Sequence, residues 1–333
     1  MRISRGSRNI PHAGKLGTNR KTLPPSEAVD RKLTQLSPVS HGNLRRTSMS
    51  ETYDCPSCDG PMRPARLSWV HACGCGVLRS TLDIAIPAKP RPSAIDEQAR
   101  VDGLASLRDR NNARLLDAIS GLTKGRRLLD VGCGPGFLLA QAGAFQAVGI
   151  EPDANVALAA TTSAKVRHGY FPDALAPDEQ FDVIVFNDVL EHIPDMRQAL
   201  AASHRHLSDD GVLVLNCPSR NGLFFRVASF MERLGMRAAY ERLWQVGLPS
   251  PHIWYMTPRD LTRAAEKAKL TEVRQVRLDT TDTQGLWSRI RSVRDEGLLL
   301  SIAAYMFTRL AHPFAKLLPS DAVAVFYRKQ PAA

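Results

Sequence analysis

Residues 127–136, Arg-Leu-Leu-Asp-Val-Gly-Cys-Gly-Pro-Gly, carry the first chemistry in the chain: Gly132, Gly134 and Gly136 stand at every second position just after an acidic residue, Asp130. Glycines at that spacing let the backbone turn sharply and approach a ligand closely, because no Cβ stands between peptide and ligand. The next apolar run, Ala147 to Ile150, ends in Glu151. A carboxylate ending the second strand of such a unit can accept hydrogen bonds from both hydroxyls of a ribose. Two nucleoside-bearing cofactors compete for this pattern, a nicotinamide dinucleotide and S-adenosylmethionine. The dinucleotide fingerprint needs Gly or Ala at the sixth position from Gly132, and Phe137 stands there, which weakens the nicotinamide reading.

A second group of reactive side chains, Asn187, Asp188, Glu191 and His192, ends the apolar run that starts at Phe181. In open α/β sheets the ligand lies at the carboxyl ends of the strands, so polar residues there face the site. The imidazole of His192 titrates in the range suited to proton removal near neutrality, and His252, in His252-Ile-Trp-Tyr-Met256, is a second candidate base. Four of the six cysteines, Cys55, Cys58, Cys73 and Cys75, form two close pairs. They resemble the knuckles of a zinc ribbon, in which thiolates converge tetrahedrally on one Zn2+. The second pair is C-x-C where C-x2-C is usual, so His71 is held as a reserve ligand. Zinc would replace the core that so short a segment cannot build. Disulfides are not expected, since no export signal precedes the module. Cys133 and Cys217 read as small apolar fillers.

These groups need a scaffold. The run Arg127 to Val131, the glycines and the helix-like Phe137 to Ala144 read as strand, loop and helix. Further strands are expected at Ala147 to Glu151, Lys165 to His168, Phe181 to Asn187, Val212 to Cys217, Glu272 to Leu278 and Ala322 to Tyr327. Helices are expected over Ala94 to Ile119, Met196 to His206 and Pro258 to Ala268. Such alternation predicts a mainly parallel sheet with helices on both faces. Between Asn221 and Met256 the residues Leu223, Phe224, Val227, Phe230, Met231 and Leu234 recur at helical spacing with Arg226, Arg233 and Arg237 among them. The expected arrangement is a core-facing amphipathic helix with a solvated basic face, the sharper alternative a lid over the acceptor.

Taken together, Asp130-Val-Gly-Cys-Gly-Pro-Gly136, Glu151-Pro-Asp153 and Phe181-Asp-Val-Ile-Val-Phe-Asn-Asp-Val-Leu-Glu-His-Ile193 resemble, in family order, the class I S-adenosylmethionine-dependent methyltransferases. The resemblance spans about Leu128 to Cys217. It implies an α/β fold with a Rossmann-like doubly wound sheet, mainly parallel, whose last strand, Ala322 to Tyr327, is antiparallel. It implies that Gly132, Gly134 and Gly136 shape the methionine pocket, that Asp130 orients the amino group and that Glu151 clasps the ribose. Asn187 and Asp188 would border the methionine, and Phe171, beside Tyr170, the adenine. In the quinone-type O-methyltransferases a similar acid-x-x-Glu-His cluster is associated with a divalent metal. A cysteine-paired module ahead of the catalytic domain resembles methyltransferases that act on sugars and other small metabolites, and some that act on ribosomal RNA.

Charge and composition divide the 333 residues further. Residues 1–50 carry a net charge of +8, residues 51–219 one of −5 and residues 220–333 one of +8. We expect a disordered basic tail over 1–50, a zinc-ribbon-like module over 51–86 and a linker at Pro87 to Pro92. A methyltransferase domain over 94–333 would carry cap insertions at about 220–256 and 280–320. An acidic catalytic core excludes a DNA groove and argues against an RNA base methyltransferase, while an intact glycine loop with Glu151 argues against a non-catalytic scaffold. The expected acceptor is a small molecule with an apolar or anionic portion, a sugar, lipid-linked or quinone-like metabolite methylated on oxygen or carbon. Gly297 to Thr308 is an uncharged run too short to span a bilayer, which takes about 20 residues. Flanked by basic residues, it suits a helix lying on an anionic membrane surface, and equally a buried cap helix or a dimer contact. The expected compartment is the cytoplasm, with or without membrane contact.

Overall fold

The computed structural model describes residues 52–84, 97–160, 164–291, 298–315 and 318–331. The expected basic tail and the Pro87 to Pro92 linker lie outside these residues. The chain first forms four short strands, β1 (Tyr53–Asp54), β2 (Pro61–Pro64), β3 (Val70–Ala72) and β4 (Leu78–Ser80), and then a long helix, α1 (Glu97–Ser120). An alternating series follows: β5 (Arg127–Val131), α2 (Phe137–Gln141), β6 (Gln146–Glu151), α3 (Ala154–Ala159), β7 (Lys165–His168), β8 (Phe181–Asn187), α4 (Met196–His206) and β9 (Leu207–Pro218). Two cap helices, α5 (Leu223–Arg233) and α6 (Ala238–Leu243), precede β10 (Trp254–Tyr255), α7 (Pro258–Lys267) and β11 (Leu270–Leu278). Helices α8 (Leu286–Arg291) and α9 (Leu298–Ala315) lead to the last strand, β12 (Ala322–Lys329).

The large sheet has the order β11-β12-β9-β8-β5-β6-β7. Strands β9, β8, β5, β6 and β7 pair in parallel, and β12 runs antiparallel to both β9 and β11. Central strands covered on both faces read as unbroken apolar runs, and Val183 to Phe186 is fully buried. The period of two sorts them into two cores: Leu129, Ile184, Phe186, Leu213 and Leu215 on one face, Leu128, Val183, Val185, Val212 and Val214 on the other. This arrangement sets the carboxyl ends of β5, β6 and β8 side by side, which is where the glycine loop and the two polar groups lie.

The four amino-terminal strands form a second sheet, and its fifth member is β10. Arg79 pairs with Trp254 and Leu78 with Tyr255 in antiparallel register. Side chains complete the attachment: Ser80 Oγ donates to the His252 carbonyl at 2.7 Å and Ser57 Oγ to the Asp260 carbonyl at 2.7 Å. Asp59 forms ion pairs with Arg197 and Lys267. An aromatic cluster seals the joint, with Trp69 edge-on to Trp244 at 5.7 Å and Tyr255 between Phe225 and Trp244.

That joint corrects the expectation for the first cap helix. The stripe read as core-facing points outward: Phe224, Val227, Phe230 and Leu234 are between 43% and 62% exposed. The buried face of α5 is instead Phe225, Ala228 and Glu232. Phe225 and Ala228 pack on Leu67, Val70 and Trp244, and Glu232 pairs with Arg66. The covering surface comes from the amino-terminal strands, far upstream, so helical periodicity alone selects the wrong face.

The start of α5 is capped from a distance. Its N-cap residue, Gly222, has no side chain, and the Asp321 Oδ1 accepts from the backbone N–H of Phe224 at 2.8 Å and of Phe225 at 3.2 Å. Asp321→Ala should therefore cost about 1–2 kcal/mol, as loss of an N-cap side chain does, seen as a lower urea unfolding midpoint. An unchanged midpoint would mean that packing alone fixes the helix.

Candidate active site

At the end of β5 the chain turns through Gly132 (φ 65°), Gly134 (φ 54°) and Gly136 (φ 89°), a conformation that L side chains rarely adopt. A Cβ at Gly132 would lie 2.7 Å from the Val189 side chain, which ties the loop to the segment after β8. At Gly134 the same position opens onto empty space, so the bare backbone is presented outward. Gly149, inside β6, leaves room for Cys133, whose Sγ would be 2.5 Å from an added Cβ. Cys133 is thus the filler expected of it, with burial pushing its thiol up to about 12. Cys217 is half-buried, its thiol held far above the ordinary range by desolvation and by the neighbouring Glu191.

Glu151 holds the loop in place. Its Oε2 accepts from the Gly134 N–H at 2.9 Å and its Oε1 from the Asp153 N–H at 2.9 Å. A carboxylate offers about four lone-pair positions, so two remain for a pair of hydroxyls. The group is 8% exposed, and burial raises its pKa against the pull of those two N–H groups. Asp130, 2% exposed, is pushed up to about 8 by burial and by the charge of Glu151. A cationic ligand next to this pair would relieve both effects. Phe171 turns its ring inward, edge-on to Phe186 at 5.3 Å, whereas Tyr170 is 59% exposed and is the open aromatic ring of that loop.

Asn187 and Asp188 are held by residues that sequence reasoning did not single out. The Asn216 Nδ2 donates to the Asn187 Oδ1 at 2.8 Å and to the Asp188 Oδ1 at 3.1 Å. Asn112, on α1, accepts from the Asn187 Nδ2 at 3.3 Å. The available signal for Asn216 was its position, a polar residue at the carboxyl end of a parallel strand. Asn112 sits in a polar stretch of helix and gave none. Asp188 has φ 58° and is exposed.

Glu191, His192 and His252 come together, each with one ligand-type atom within 4.8 Å of the others. The two imidazole rings are 4.7 Å apart and T-shaped. His192 Nδ1 donates to the Pro251 carbonyl at 2.9 Å, which fixes the tautomer and leaves Nε2 with its lone pair. His252 is engaged on both sides: the Gln245 Nε2 donates to its Nε2 at 2.9 Å, and its Nδ1 meets the Tyr255 Oη at 3.2 Å, which in turn donates to the Leu243 carbonyl. Burial and the neighbouring His192 push His252 down to about 3, and burial lowers His192 as well. Glu191 is 2% exposed, neither carboxyl oxygen has a hydrogen-bond partner among the described residues, and its pKa is driven well up by burial and by Asp188. It borders a cavity of about 20 Å³ lined also by Cys217 and Trp254, room for one water.

In the amino-terminal module the sulfurs of Cys55, Cys58, Cys73 and Cys75 cluster within 4.8 Å, with Cys55 to Cys75 at 3.5 Å and Cys58 to Cys73 at 3.3 Å. Four thiolates bound tetrahedrally to zinc at about 2.3 Å stand roughly 3.8 Å from one another, so the quartet fits such an ion. The reserve ligand, His71, is outside this group and stands edge-on to Tyr53 at 5.2 Å. The C-x-C pair reaches the cluster because Gly76, at φ 106°, turns the chain straight after Cys75.

Comparison with known proteins agrees with this geometry. A family model described as a methyltransferase domain matches residues 104–275. A ubiquinone biosynthesis O-methyltransferase from Rhodopseudomonas palustris strain BisA53 is 29% identical over 189 residues, covering 53% of this chain and 69% of that protein. One of the same description from Bradyrhizobium sp. strain ORS 278 is 32% identical over 164 residues, covering 46% and 59%. A solved S-adenosylmethionine-dependent methyltransferase from Thermotoga maritima aligns with a TM-score of 0.46 at 17% identity, over 70% of this chain and 95% of that one. With a methyltransferase-domain match over more than half its length, a glycine loop braced by Glu151 and the expected sheet order, the chain belongs to the class I S-adenosylmethionine-dependent methyltransferases.

Proposed function

We propose that the enzyme methylates a hydroxyl oxygen of a small, quinone-like acceptor, with His192 as the base. One observation carries this reading: His192 is half-buried, its pKa is lowered by that burial, and its Nδ1 is locked on the Pro251 carbonyl so that a single ring nitrogen is left to take a proton. The similarity to ubiquinone biosynthesis O-methyltransferases supports the acceptor class. In the reaction the acceptor oxygen attacks the methyl carbon in line with the sulfonium. The S–CH3 bond breaks as the O–CH3 bond forms, sulfur keeps the electron pair, and the hydroxyl proton passes to His192 Nε2. His252, too acidic when protonated to serve as base at neutral pH, positions the ring beside it. Asp130, Gly132, Gly134, Gly136 and Glu151 would hold the cofactor, with Asn187 and Asp188 at its methionine end. Glu191, His192 and His252 are also a donor set for a divalent cation, which when bound would acidify the acceptor hydroxyl. Zinc in the cysteine quartet would fix the module that carries β4 against β10, directly after His252.

Glu151→Ala should weaken S-adenosylmethionine binding at least about tenfold by calorimetry, since each hydrogen bond to a charged acceptor is worth roughly 1.5–3 kcal/mol. Unchanged affinity would remove Glu151 from the cofactor site. His192→Ala should leave that affinity intact and lower turnover on a catechol-type acceptor by about a hundredfold. A base must be unprotonated, and burial lowers this imidazole, so kcat of the natural enzyme should hold through neutrality and fall only below the ordinary imidazole pKa of about 6.5. The variant should lack that acid limb; a variant that keeps it would place the titrating group elsewhere. Protein purified without chelator should carry about one zinc per chain, and Cys55→Ser should release it. Metal analysis finding none would end the zinc assignment.

A further inference from the structure

Helix α9 is amphipathic in the reverse sense. Among its described side chains the inward ones are polar: Ser301 is fully buried, and Tyr305, Thr308 and His312 are half-buried at the same helical spacing. They are met from within the protein, Ser301 by Arg291, Tyr305 by the Trp287 ring and His312 by Thr281. The outward stripe is apolar, with Leu298 (58%), Leu299 (83%), Ile302 (44%), Met306 (51%), Leu310 (69%) and Phe314 (67%) exposed. A helix facing water shows the opposite order. The outward face of α5 repeats the feature with Phe224, Val227, Phe230 and Leu234. The two stripes adjoin: exposed Leu318 and Pro319 follow α9, and the Pro319 carbonyl accepts from the Leu223 N–H at the start of α5.

The exposed charge beside α5 is basic. Arg226, Arg233, Arg237 and Arg242 are exposed and make no ion pair among the described residues. The two acids of residues 220–250, Glu232 and Glu241, are buried and half-buried, and residues 297–320 contain no acid at all. No helix among the described residues is long and apolar enough to cross a membrane. An apolar helix face rimmed by unpaired arginines matches the boundary of an anionic bilayer, where acyl chains take the apolar residues and headgroups the cations. A second copy of the chain is a poorer occupant, because a two-fold contact would set the same arginines against one another. We infer that α5 and α9 form a docking surface for an anionic lipid membrane, on which the protein lies without spanning it. The inference rests on this surface alone and is independent of which acceptor is methylated.

Sedimentation of the full chain with lipid vesicles tests it. The protein should pellet with phosphatidylcholine–phosphatidylglycerol vesicles far more than with phosphatidylcholine alone, and raised salt should weaken the difference. Met306→Glu with Leu310→Glu, and separately Phe230→Glu, should each cut the bound fraction about tenfold while calorimetric binding of S-adenosylmethionine is unchanged, which shows the variants folded. Wild-type protein left in the supernatant with anionic vesicles would overturn the inference. So would variants that bind vesicles like the wild type, or whose sole effect is to turn a dimer into a monomer on size-exclusion chromatography.

Discussion

Three carboxyl groups, Asp130, Glu151 and Glu191, are buried at or just beyond the carboxyl ends of the adjacent strands β5, β6 and β8, and the rest of the site is arranged around the cost of keeping them there. Burying a carboxylate without compensation costs several kcal/mol, and burial raises the pKa of all three. Backbone N–H groups partly compensate Glu151. Asp130 and Glu191 are left with little. S-adenosylmethionine brings a sulfonium and an ammonium, the charges this group lacks, and it leaves as a thioether with one positive charge fewer.

Much of this was legible in the chain. Strands β7 and β8 and helix α4 fall on the residues that periodicity marked, because each carries a local pattern long enough to be read alone. The glycine loop was legible for the same reason: Gly134 and Glu151 make a contact that closes within one strand–helix–strand unit. What sequence reading misplaced is non-local. The outward stripe of α5 has the spacing of a core face, and only the arrival of Trp69 and Leu67 from the amino-terminal strands decides that Phe225 and Ala228 turn inward. Asn112 was silent because its role depends on α1 meeting the end of β8. His252 was marked by motif alone, and its clamp by Gln245 and Tyr255 could not be read from spacing.

The cysteine module and the cap helices form one structure. The aromatic cluster of Trp69, Phe225, Tyr240, Trp244 and Tyr255 joins them, and the same Tyr255 reaches back to His252. Apolar side chains that are fully buried contribute roughly 1.5–3 kcal/mol each, so this cluster outweighs the exposed ion pairs of Asp59. Position of the histidine pair thus follows from packing between module and cap, and only secondarily from charge. The module pairs through β4 with β10, which distinguishes it from a tethered binding domain.

Strand β4 also sets a constraint on how the molecule is made. It pairs on one side with β3, close in sequence, and on the other with Trp254 and Tyr255, about 175 residues later. During synthesis the small hairpin sheet can form early, yet its inner edge stays open until the chain beyond β10 has emerged. An unpaired edge strand is a template for wrong partners, and a growing chain on neighbouring ribosomes offers many. At its end that edge is only three residues long, with Arg79 in the middle, its guanidinium 3.5 Å above the Tyr53 ring. A short edge with a charged residue at its centre is the usual protection against such mispairing, so the residue that later faces Trp254 first serves to keep the nascent module to itself.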